Sequence, residues 1–308
     1  MNRLQLNLAL VVIVGALAAT LYLTREQPEK GPPLTPLTDA TLERIRIEHP
    51  GAPAIVLQKQ DGAWQLTEPV HAAADAMEVA SIVSLAGAEA QRKLPVAEVE
   101  LKELKLDPPQ YTLTLNDTRL DFGDSEPIDF RRYVRVGDDV ALIAEPSAAA
   151  LDADYSDLVA KELLPAGAEI QSLALPDLTV ARSTDGQSWV LMPDQADVGA
   201  DQKQQLMDAW RSARAMWNAA AEGGPGEPVT ILLKDGRVFE LVVVARTPQL
   251  IIENPALKVR YTLSKALEGE LLQLPAPAPA AGAALPGQLP LPVGDAPDAE
   301  SDADAPAP

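Results

Sequence analysis

The sequence predicts an α+β protein built from two tandem, duplicated modules of antiparallel strands with a packed helix, preceded by one transmembrane helix. Two observations predict this architecture: an internal repeat with an offset of roughly 125 residues, and an apolar run at residues 4–24. In each copy, short β-like runs flank an Asp-Gly turn, and a helical pattern with one apolar face follows. Because that face must be buried on a sheet, we expect strands and helix to form one module.

The repeat rests on four pairs of equivalent positions. They are separated by 124 to 126 residues: Asp61 and Asp185, Trp64 and Trp189, Pro69 and Pro193, and Asp75 and Asp201. The first pair begins Asp-Gly hairpin turns, in which Gly tolerates a positive φ. The second pair opens a strand, and the last pair is predicted to cap the two helices. One duplicated module explains all four offsets.

Shifts in composition divide the chain into six segments. The sequence predicts a transmembrane signal anchor with a short cytoplasmic tip at 1–24, a Pro-rich, solvated linker at 25–39 and a first α+β module at 40–146. A connecting helix is predicted at 147–168, and a second α+β module at 169–265. Residues 266–308 are acidic, rich in Ala and Pro and free of basic residues, which predicts a disordered tail.

The apolar run at residues 4–24 contains no Asp, Glu, Lys or Arg. It matches the ~20 residues that a helix needs to cross a bilayer. Its position before an otherwise polar chain predicts a single-pass anchor in a bacterial inner membrane, with the folded modules on the periplasmic side. A cleaved signal peptide is the alternative, because Ala16 and Ala18 have the spacing of a cleavage site.

Charge and residue inventory exclude several classes of protein. A formal net charge of -20 over 308 residues repels phosphate backbones, so no nucleic-acid partner is expected. The chain has no cysteine, which removes disulfides, thiolate nucleophiles and Cys-ligated metals. It also lacks the sequence motifs of a Walker loop, a dinucleotide-binding loop and a zincin helix, so no cofactor is predicted.

The stretch DFGDSEP contains a kinase-like tripeptide at 121–123 and a hydrolase-like tripeptide at 123–125. A kinase Asp binds magnesium together with a glycine-rich loop, a strand lysine and a catalytic loop, and the sequence shows none of these motifs. A nucleophilic Ser125 needs a histidine base, but His49 and His71, the two histidines, precede it and carry no mark of a base. We therefore predict no catalytic residue, and a serine hydrolase is the least favoured alternative.

Two other patterns have both a binding interpretation and a structural one. Trp64 and Trp189 could stack on pyranose rings, but both begin strands and are followed by Leu66 and Leu191, which favours core packing. A group of carboxylates could bind calcium, but the spacing is not that of an EF-hand and arginines follow, so a solvated loop is favoured. These carboxylates are Asp121, Asp124, Glu126 and Asp129. No metal-binding or cofactor-binding residue is predicted.

Several motifs together resemble the bacterial family named domain of unknown function 4340. They are the Asp-Gly-x-Trp with its following Pro at 61–69, the Ala-Asp at 74–75, LKLDPPQYTLTL at 104–115, LDFG at 120–123 and RRYVRV at 131–136. Lys105 stands where the family commonly has Gly. The resemblance covers most of residues 40–265. It implies a single-span envelope protein without established catalytic residues, commonly encoded beside components of an ABC-type transport system related to the gliding-motility exporters.

We therefore expect a non-enzymatic, membrane-anchored, extracytoplasmic accessory or scaffold protein, associated with an ABC-type transport system. The expected partners are the inner membrane, through residues 4–24, and transporter subunits in the envelope. The transporter is implied by the resemblance alone. Exposed edges of antiparallel sheets suit strand addition by a partner protein. An envelope ligand-binding or cell-wall glycan-binding module is the alternative.

Overall fold

The computed structural model describes residues 13–15, 20, 31–144, 151 and 154–276. Most of the predicted membrane span at 4–24 and the predicted tail from residue 277 onward lie outside these residues. Within the described part of the chain, no helix combines the length and the apolar composition needed to cross a bilayer. Both predicted modules belong to one compact unit that extends to Pro275, and one apolar cluster contains buried side chains of both.

The first module is a nine-stranded antiparallel sheet with the order β4-β3-β2-β1-β6-β7-β8-β9-β5. Its strands are β1 (Arg44–Glu48), β2 (Ile55–Gln60), β3 (Ala63–Glu68), β4 (Ala72–Ala73), β5 (Arg92–Pro95), β6 (Tyr111–Leu115), β7 (Thr118–Ser125), β8 (Arg131–Val136) and β9 (Asp139–Ala144). Helix α1 (Ala76–Ser84) buries Val79 and Ile82. As predicted, it begins at Asp75, whose carboxylate accepts hydrogen bonds from the backbone N–H groups of its first turn.

The second module is an eight-stranded antiparallel sheet with the order β12-β11-β10-β14-β15-β16-β17-β13. Its strands are β10 (Ile170–Ala174), β11 (Thr179–Arg182), β12 (Trp189–Met192), β13 (Trp217–Ala220), β14 (Glu227–Leu233), β15 (Val238–Ala245), β16 (Leu250–Asn254) and β17 (Val259–Leu263). Helix α2 (Ala200–Ser212) buries Leu206, Met207 and Trp210, and a short helix α3 (Leu267–Leu272) follows the last strand.

The two strand orders correspond one to one. The series β3-β2-β1-β6-β7-β8-β9-β5 in the first sheet matches β12-β11-β10-β14-β15-β16-β17-β13 in the second, with α1 and α2 at equivalent places. Among the strands that the structure describes, β4 is the one addition to the first sheet. The predicted duplication is therefore confirmed, and the fold is α+β with mostly β structure.

Residues 31–38 differ from the solvated linker predicted at 25–39. Leu34 and Thr35 are buried. The Leu34 N–H donates to the carbonyl of Ala88 at 2.8 Å, and the Ala90 N–H donates to the carbonyl of Pro32 at 2.9 Å. The segment is extended, as its prolines indicate. Leu34 is nevertheless buried, because its side chain packs on apolar surface beside the end of α1.

The described residues between the modules also differ from the prediction, since 154–168 form turns and short bridges where a helix was expected. The Asp154 carboxylate accepts the backbone N–H of Ser156 at 2.6 Å, and the Asp157 carboxylate accepts the N–H of Asp154 at 3.0 Å. Side-chain hydrogen bonds of this kind satisfy backbone N–H groups without a helix, so they compete with helix formation. The apolar spacing that suggested a helix instead places Leu158 and Val159 in the core.

The end of this segment repeats the entry into the first module. The Leu163 N–H donates to the carbonyl of Ala213 at 3.2 Å and the Ala215 N–H to the carbonyl of Lys161 at 2.8 Å, which is the pattern made by Leu34 and Ala90 in the first copy. The tripeptides at 34–36 and 163–165 carry this repeat as Leu-x-Pro. The duplicated unit therefore includes its entry segment.

Two boundaries in the second module also differ from the prediction. Helix α2 begins at Gly199, whose N–H donates to the side-chain oxygen of Gln202 at 2.9 Å, and Asp201 lies exposed in the first turn. Residues 266–275 are folded, although a disordered tail was predicted from 266. Leu271 is buried there because α3 packs on α2, and its carbonyl accepts the indole N–H of Trp210 at 2.8 Å.

Candidate functional site

The segment at residues 158–166, called the connector, is hydrogen-bonded to both modules. On one side, the Asp75 N–H donates to the Leu158 carbonyl and the Ala160 N–H to the Ala73 carbonyl, both at 2.8 Å. On the other side, the Asn218 amide donates to the Val159 carbonyl at 2.8 Å. The connector therefore lies between β4 of the first sheet and β13 of the second and holds the two sheets together.

A group of charged side chains surrounds this junction. The Asp75 carboxylate, whose side chain is 2% exposed, lies 3.4 Å from the Arg214 guanidinium and 3.7 Å from the Lys161 ammonium. Arg214 also contacts Glu162 at 2.9 Å, and Lys161 contacts Glu78 at 3.1 Å. A buried carboxylate is tolerated when hydrogen bonds and cations satisfy it, and here the capping bonds and both cations do so.

A cleft of about 870 Å³ lies between the modules. Strands β3 and β4, the connector, the start of β15, the β16–β17 turn and Tyr261 of β17 line it. Its deepest lining residues are buried and mostly apolar: Leu66, Val159, Leu163, Leu164 and Tyr261. Exposed side chains, among them His71 and Val238, form the rim. The volume is within the range of ligand-binding pockets, which often form between domains.

Tyr261 is the polar residue placed deepest among those that line the cleft. The residue is 2% exposed, and burial, with a smaller effect of the nearby Glu162 carboxylate, raises the pKa of its hydroxyl to about 12. The hydroxyl has no hydrogen-bond partner among the described residues. Like an ordinary tyrosine hydroxyl, it is a protonated donor over the physiological pH range.

The two equivalent tryptophans have different surroundings. Trp189 is 6% exposed, the Arg182 guanidinium lies 3.9 Å from its ring centroid, and its indole N–H donates to Gln204 at 2.9 Å. This residue belongs to the core, as predicted. Trp64 is half-buried, with the Lys59 ammonium 5.6 Å from its ring, and borders a groove of about 790 Å³ beside α1. Of the pair, Trp64 is the one with space beside its ring.

The four carboxylates in and just after the DFGDSEP stretch are paired with cations at separate places. Asp121 contacts Arg119 at 2.8 Å and Asp124 contacts Lys105 at 2.6 Å, and the latter contact lowers the pKa of Asp124. The Arg131 guanidinium pairs with the remaining two carboxylates, Glu126 at 3.5 Å and Asp129 at 2.9 Å. In the residues that the structure describes, no group of three or more His, Asp or Glu side chains could hold a metal ion. The ion pairs favour a structural role for these carboxylates.

Gly123 and Ser125 of this stretch, and the nearby Lys105, also have structural explanations. A Cβ atom on Gly123 would lie 2.2 Å from the carbonyl oxygen of Leu104, so close backbone approach requires glycine there. Lys105 occupies the left-handed region at a φ of 52°, which explains why glycine suits this position. Ser125 ends β7, and its N–H donates to the carboxylate of Asp124 at 3.1 Å.

The two histidines lie in different parts of the structure. The Nε2 of His49 is 2.7 Å from the carbonyl oxygen of Leu151, and its ring lies 5.8 Å from that of Tyr111, which stacks on Phe122 of β7. His71 lines the inter-module cleft. Sequence reasoning missed this cleft because the residues that line it come from distant segments. The repeated Leu-x-Pro was the one local signal that marked the connector.

The fold and junction define a class of protein: a duplicated, mostly β protein whose two antiparallel sheets are joined by an extended connector. The family model described as domain of unknown function (DUF4340) matches residues 64–221, from β3 of the first module through the connector to β13 of the second. This chain belongs to that family. Comparisons with curated proteins and with solved structures give no match.

Proposed function

We propose that this protein is a non-enzymatic accessory or scaffold protein of the bacterial envelope, associated with an ABC-type transport system. Residues 4–24 anchor it in the inner membrane, and both modules face the periplasm. The observation that supports a protein-binding role is the open edge of β12 (Trp189–Met192) in the second sheet. The anchor and the transporter association rest on the apolar run and on the resemblance described above.

The equivalent edge in the first module is covered by β4. There, Gln65 and Leu66 of β3 pair with Ala73 and Ala72. Strand β12 pairs with β11 on one side and is the last strand of its sheet on the other, within the described residues. The duplication thus shows what an occupied edge of this module looks like, with a short extended segment of small residues alongside.

The side chains of β12 suit strand addition. Val190 is 45% exposed and Met192 is 51% exposed, and the strand contains no charged residue. Sheet edges without charged side chains attract other strands, because their N–H and C=O groups are unpaired. A partner strand would satisfy these groups and cover both apolar side chains. This geometry favours an extended segment of an envelope protein as the partner.

Site-specific crosslinking in membranes tests the proposal. The native chain has no cysteine, so Val190→Cys provides a unique attachment point for a photoreactive maleimide on the full-length protein. We expect ABC permease or other envelope subunits to be captured from position 190. Thr230→Cys, on an exposed position of the interior strand β14, is the matched control and should capture none. Equal background capture from both positions would contradict the scaffold role.

The orientation has its own test. Protease added to spheroplasts is expected to digest the chain beyond Lys30, because both modules are proposed to lie outside the inner membrane. Protection of residues 31–276 in intact spheroplasts, with digestion after lysis, would place the modules in the cytoplasm and overturn the proposed localisation.

A second candidate function is binding of a cell-wall glycan fragment beside Trp64. The groove next to this half-buried indole favours it, since an aromatic face can stack on a sugar ring, and Lys59, Gln65 and Ser84 offer polar groups around it. Soluble peptidoglycan fragments should then change the tryptophan fluorescence of the wild type and leave that of Trp64→Phe unchanged. An identical response in both proteins would exclude this site.

A further inference from the structure

We infer that the inter-module cleft binds an extended polypeptide segment without acidic side chains. This inference rests on the proposed function in taking the ligand to be part of a protein, and it adds a second contact surface, separate from β12, with its own chemistry. Three features of the lining carry it: an unpartnered hydroxyl, neutral amide side chains, and a charge distribution that disfavours anions.

The hydroxyl of Tyr261 is the first feature. A hydroxyl that lines a cleft and makes no hydrogen bond within the described protein is available to bond to a ligand. This hydroxyl lines the cleft and lacks a partner among the residues described, and it is protonated at neutral pH as tyrosine hydroxyls ordinarily are. It can therefore donate one hydrogen bond to an acceptor inside the cleft, and a peptide carbonyl is such an acceptor.

The neutral polar lining is the second feature. Gln60, Gln65 and Thr67 line the cleft on the side of the first module, and Asn254 lines it on the side of the second. Amide side chains both donate and accept hydrogen bonds, as peptide groups do. Between these walls, the buried Leu163 and Leu164 and the half-buried Phe239 offer apolar contact for a ligand side chain.

The charges at the cleft are the third feature. Arg237 is paired with Asp235 at 2.8 Å, and Glu162 is paired with Arg214 at 2.9 Å, so neighbouring side chains offset these two lining charges. Glu240, exposed on β15, adds one more negative charge at the rim. Among the described residues that line it, the cleft therefore offers no unpaired Lys or Arg to an acidic ligand, and an uncharged or basic segment fits it best.

A peptide library tests the inference without any transporter subunit. Phage displaying random twelve-residue peptides would be selected on the purified full-length protein in detergent, and the affinity of a selected peptide measured by fluorescence anisotropy. Val238→Lys adds a long charged side chain at an exposed rim position, so it blocks the cleft without disturbing the core. We expect selected peptides to contain apolar residues, to lack Asp and Glu, and to lose binding to this variant.

Tyr261→Phe isolates the hydroxyl. Because that group has no partner within the described protein, the variant should keep the melting temperature of the wild type while binding the selected peptide about 3- to 10-fold more weakly. Tyr133→Phe, on β8 of the first module away from the cleft lining, is the matched control and should bind as the wild type does.

Three outcomes would overturn the cleft site: peptides that bind Val238→Lys as well as the wild type, selected sequences rich in Asp and Glu, or no selected peptide at all. The proposed scaffold role is judged separately by crosslinking from position 190. If the peptide selection fails and the crosslinking succeeds, the cleft site is ruled out and the β12 edge remains as the contact. If the selection succeeds and the crosslinking fails, the cleft remains and the β12 edge is ruled out.

Discussion

Asp75 and Arg214 are 139 residues apart in the chain, yet the carboxylate of one lies 3.4 Å from the guanidinium of the other. Asp75 also caps α1, the helix of the first module, while Arg214 follows α2, the helix of the second. The pair therefore couples the start of one helix to the end of the other across the connector. Asp75 therefore has two roles: it caps α1 and it helps to join the modules.

Asp75→Ala should destabilise the protein by about 2–4 kcal/mol, because it removes a helix cap and leaves two cations beside a buried site. Asp75→Asn keeps a capping oxygen, so its loss in the free energy of unfolding should be smaller. Urea denaturation followed by circular dichroism measures both. Asp201→Ala, an exposed substitution in the first turn of α2, is the control and should change the free energy of unfolding by no more than about 0.5 kcal/mol. Equal effects at Asp75 and Asp201 would contradict the junction role.

Hydrogen exchange should distinguish the covered edge from the open one. The Trp64 carbonyl accepts the Ala74 N–H at 3.1 Å, so residue 64 and, by the two-residue period, Leu66 face the covering segment. Leu191 is the equivalent of Leu66 on the open edge of β12. We expect its amide to exchange at least about tenfold faster than that of Leu66. Leu57 and Val180, on the neighbouring interior strands, should exchange alike, and similar rates for Leu66 and Leu191 would show that the β12 edge is covered.

Arg182→Ala should lower the free energy of unfolding by about 0.5–1 kcal/mol, because the guanidinium lies 3.9 Å from the Trp189 ring centroid and packs on the indole face. Tryptophan emission should also shift to longer wavelength as water reaches the ring. Arg182→Lys is expected to recover part of the loss. Lys102→Ala, at an exposed position, provides the baseline, and a loss at Arg182 no larger than that baseline would show that the contact adds no stability.

Gly123→Ala should cost about 2–3 kcal/mol in the free energy of unfolding, since the new methyl group would meet the Leu104 carbonyl at 2.2 Å and force backbone displacement. Gly87→Ala has open space around its Cβ position and should stay within about 0.5 kcal/mol of the wild type. Thermal or urea unfolding compares the two. A well-folded Gly123→Ala protein of unchanged stability would remove the structural explanation for this glycine.

Asp157→Asn should stabilise the protein at neutral pH. Burial, together with the nearby carboxylates of Asp154 and Glu78, raises the pKa of Asp157 in the folded state. The ionised form is therefore disfavoured by folding, and this cost is present above the folded pKa and vanishes as the pH falls below the unfolded value. The difference between the wild type and Asp157→Asn should accordingly shrink from pH 7 to pH 3 in urea titrations. A constant difference across that range would argue against a titration of Asp157.

Part of the architecture could be predicted because its causes are local. The Asp-Gly turns, the alternation of strands such as β6 and β8, and the cap at Asp75 each depend on residues within a few positions of one another. The offset of about 125 residues then showed, from the sequence alone, that these turns, strands and helix starts occur twice in the same order. The predicted connecting helix was wrong where the structure describes it, because Asp154 and Asp157 bond locally to the backbone and the apolar residues are buried by packing on both modules.

The sequence by itself determined the duplication, the α+β class and most of the strands, because periodicity and turn chemistry act over short distances. Tertiary structure alone decided that β4 covers one edge while β12 ends its sheet within the described residues, that residues 158–166 join both sheets, and that Tyr261 lies in a cleft shared with His71. The connector and the cleft arise where segments 50 to 190 residues apart meet. Their contacts depend on how two copies of one module pack together, which the spacing of residues within either copy does not encode.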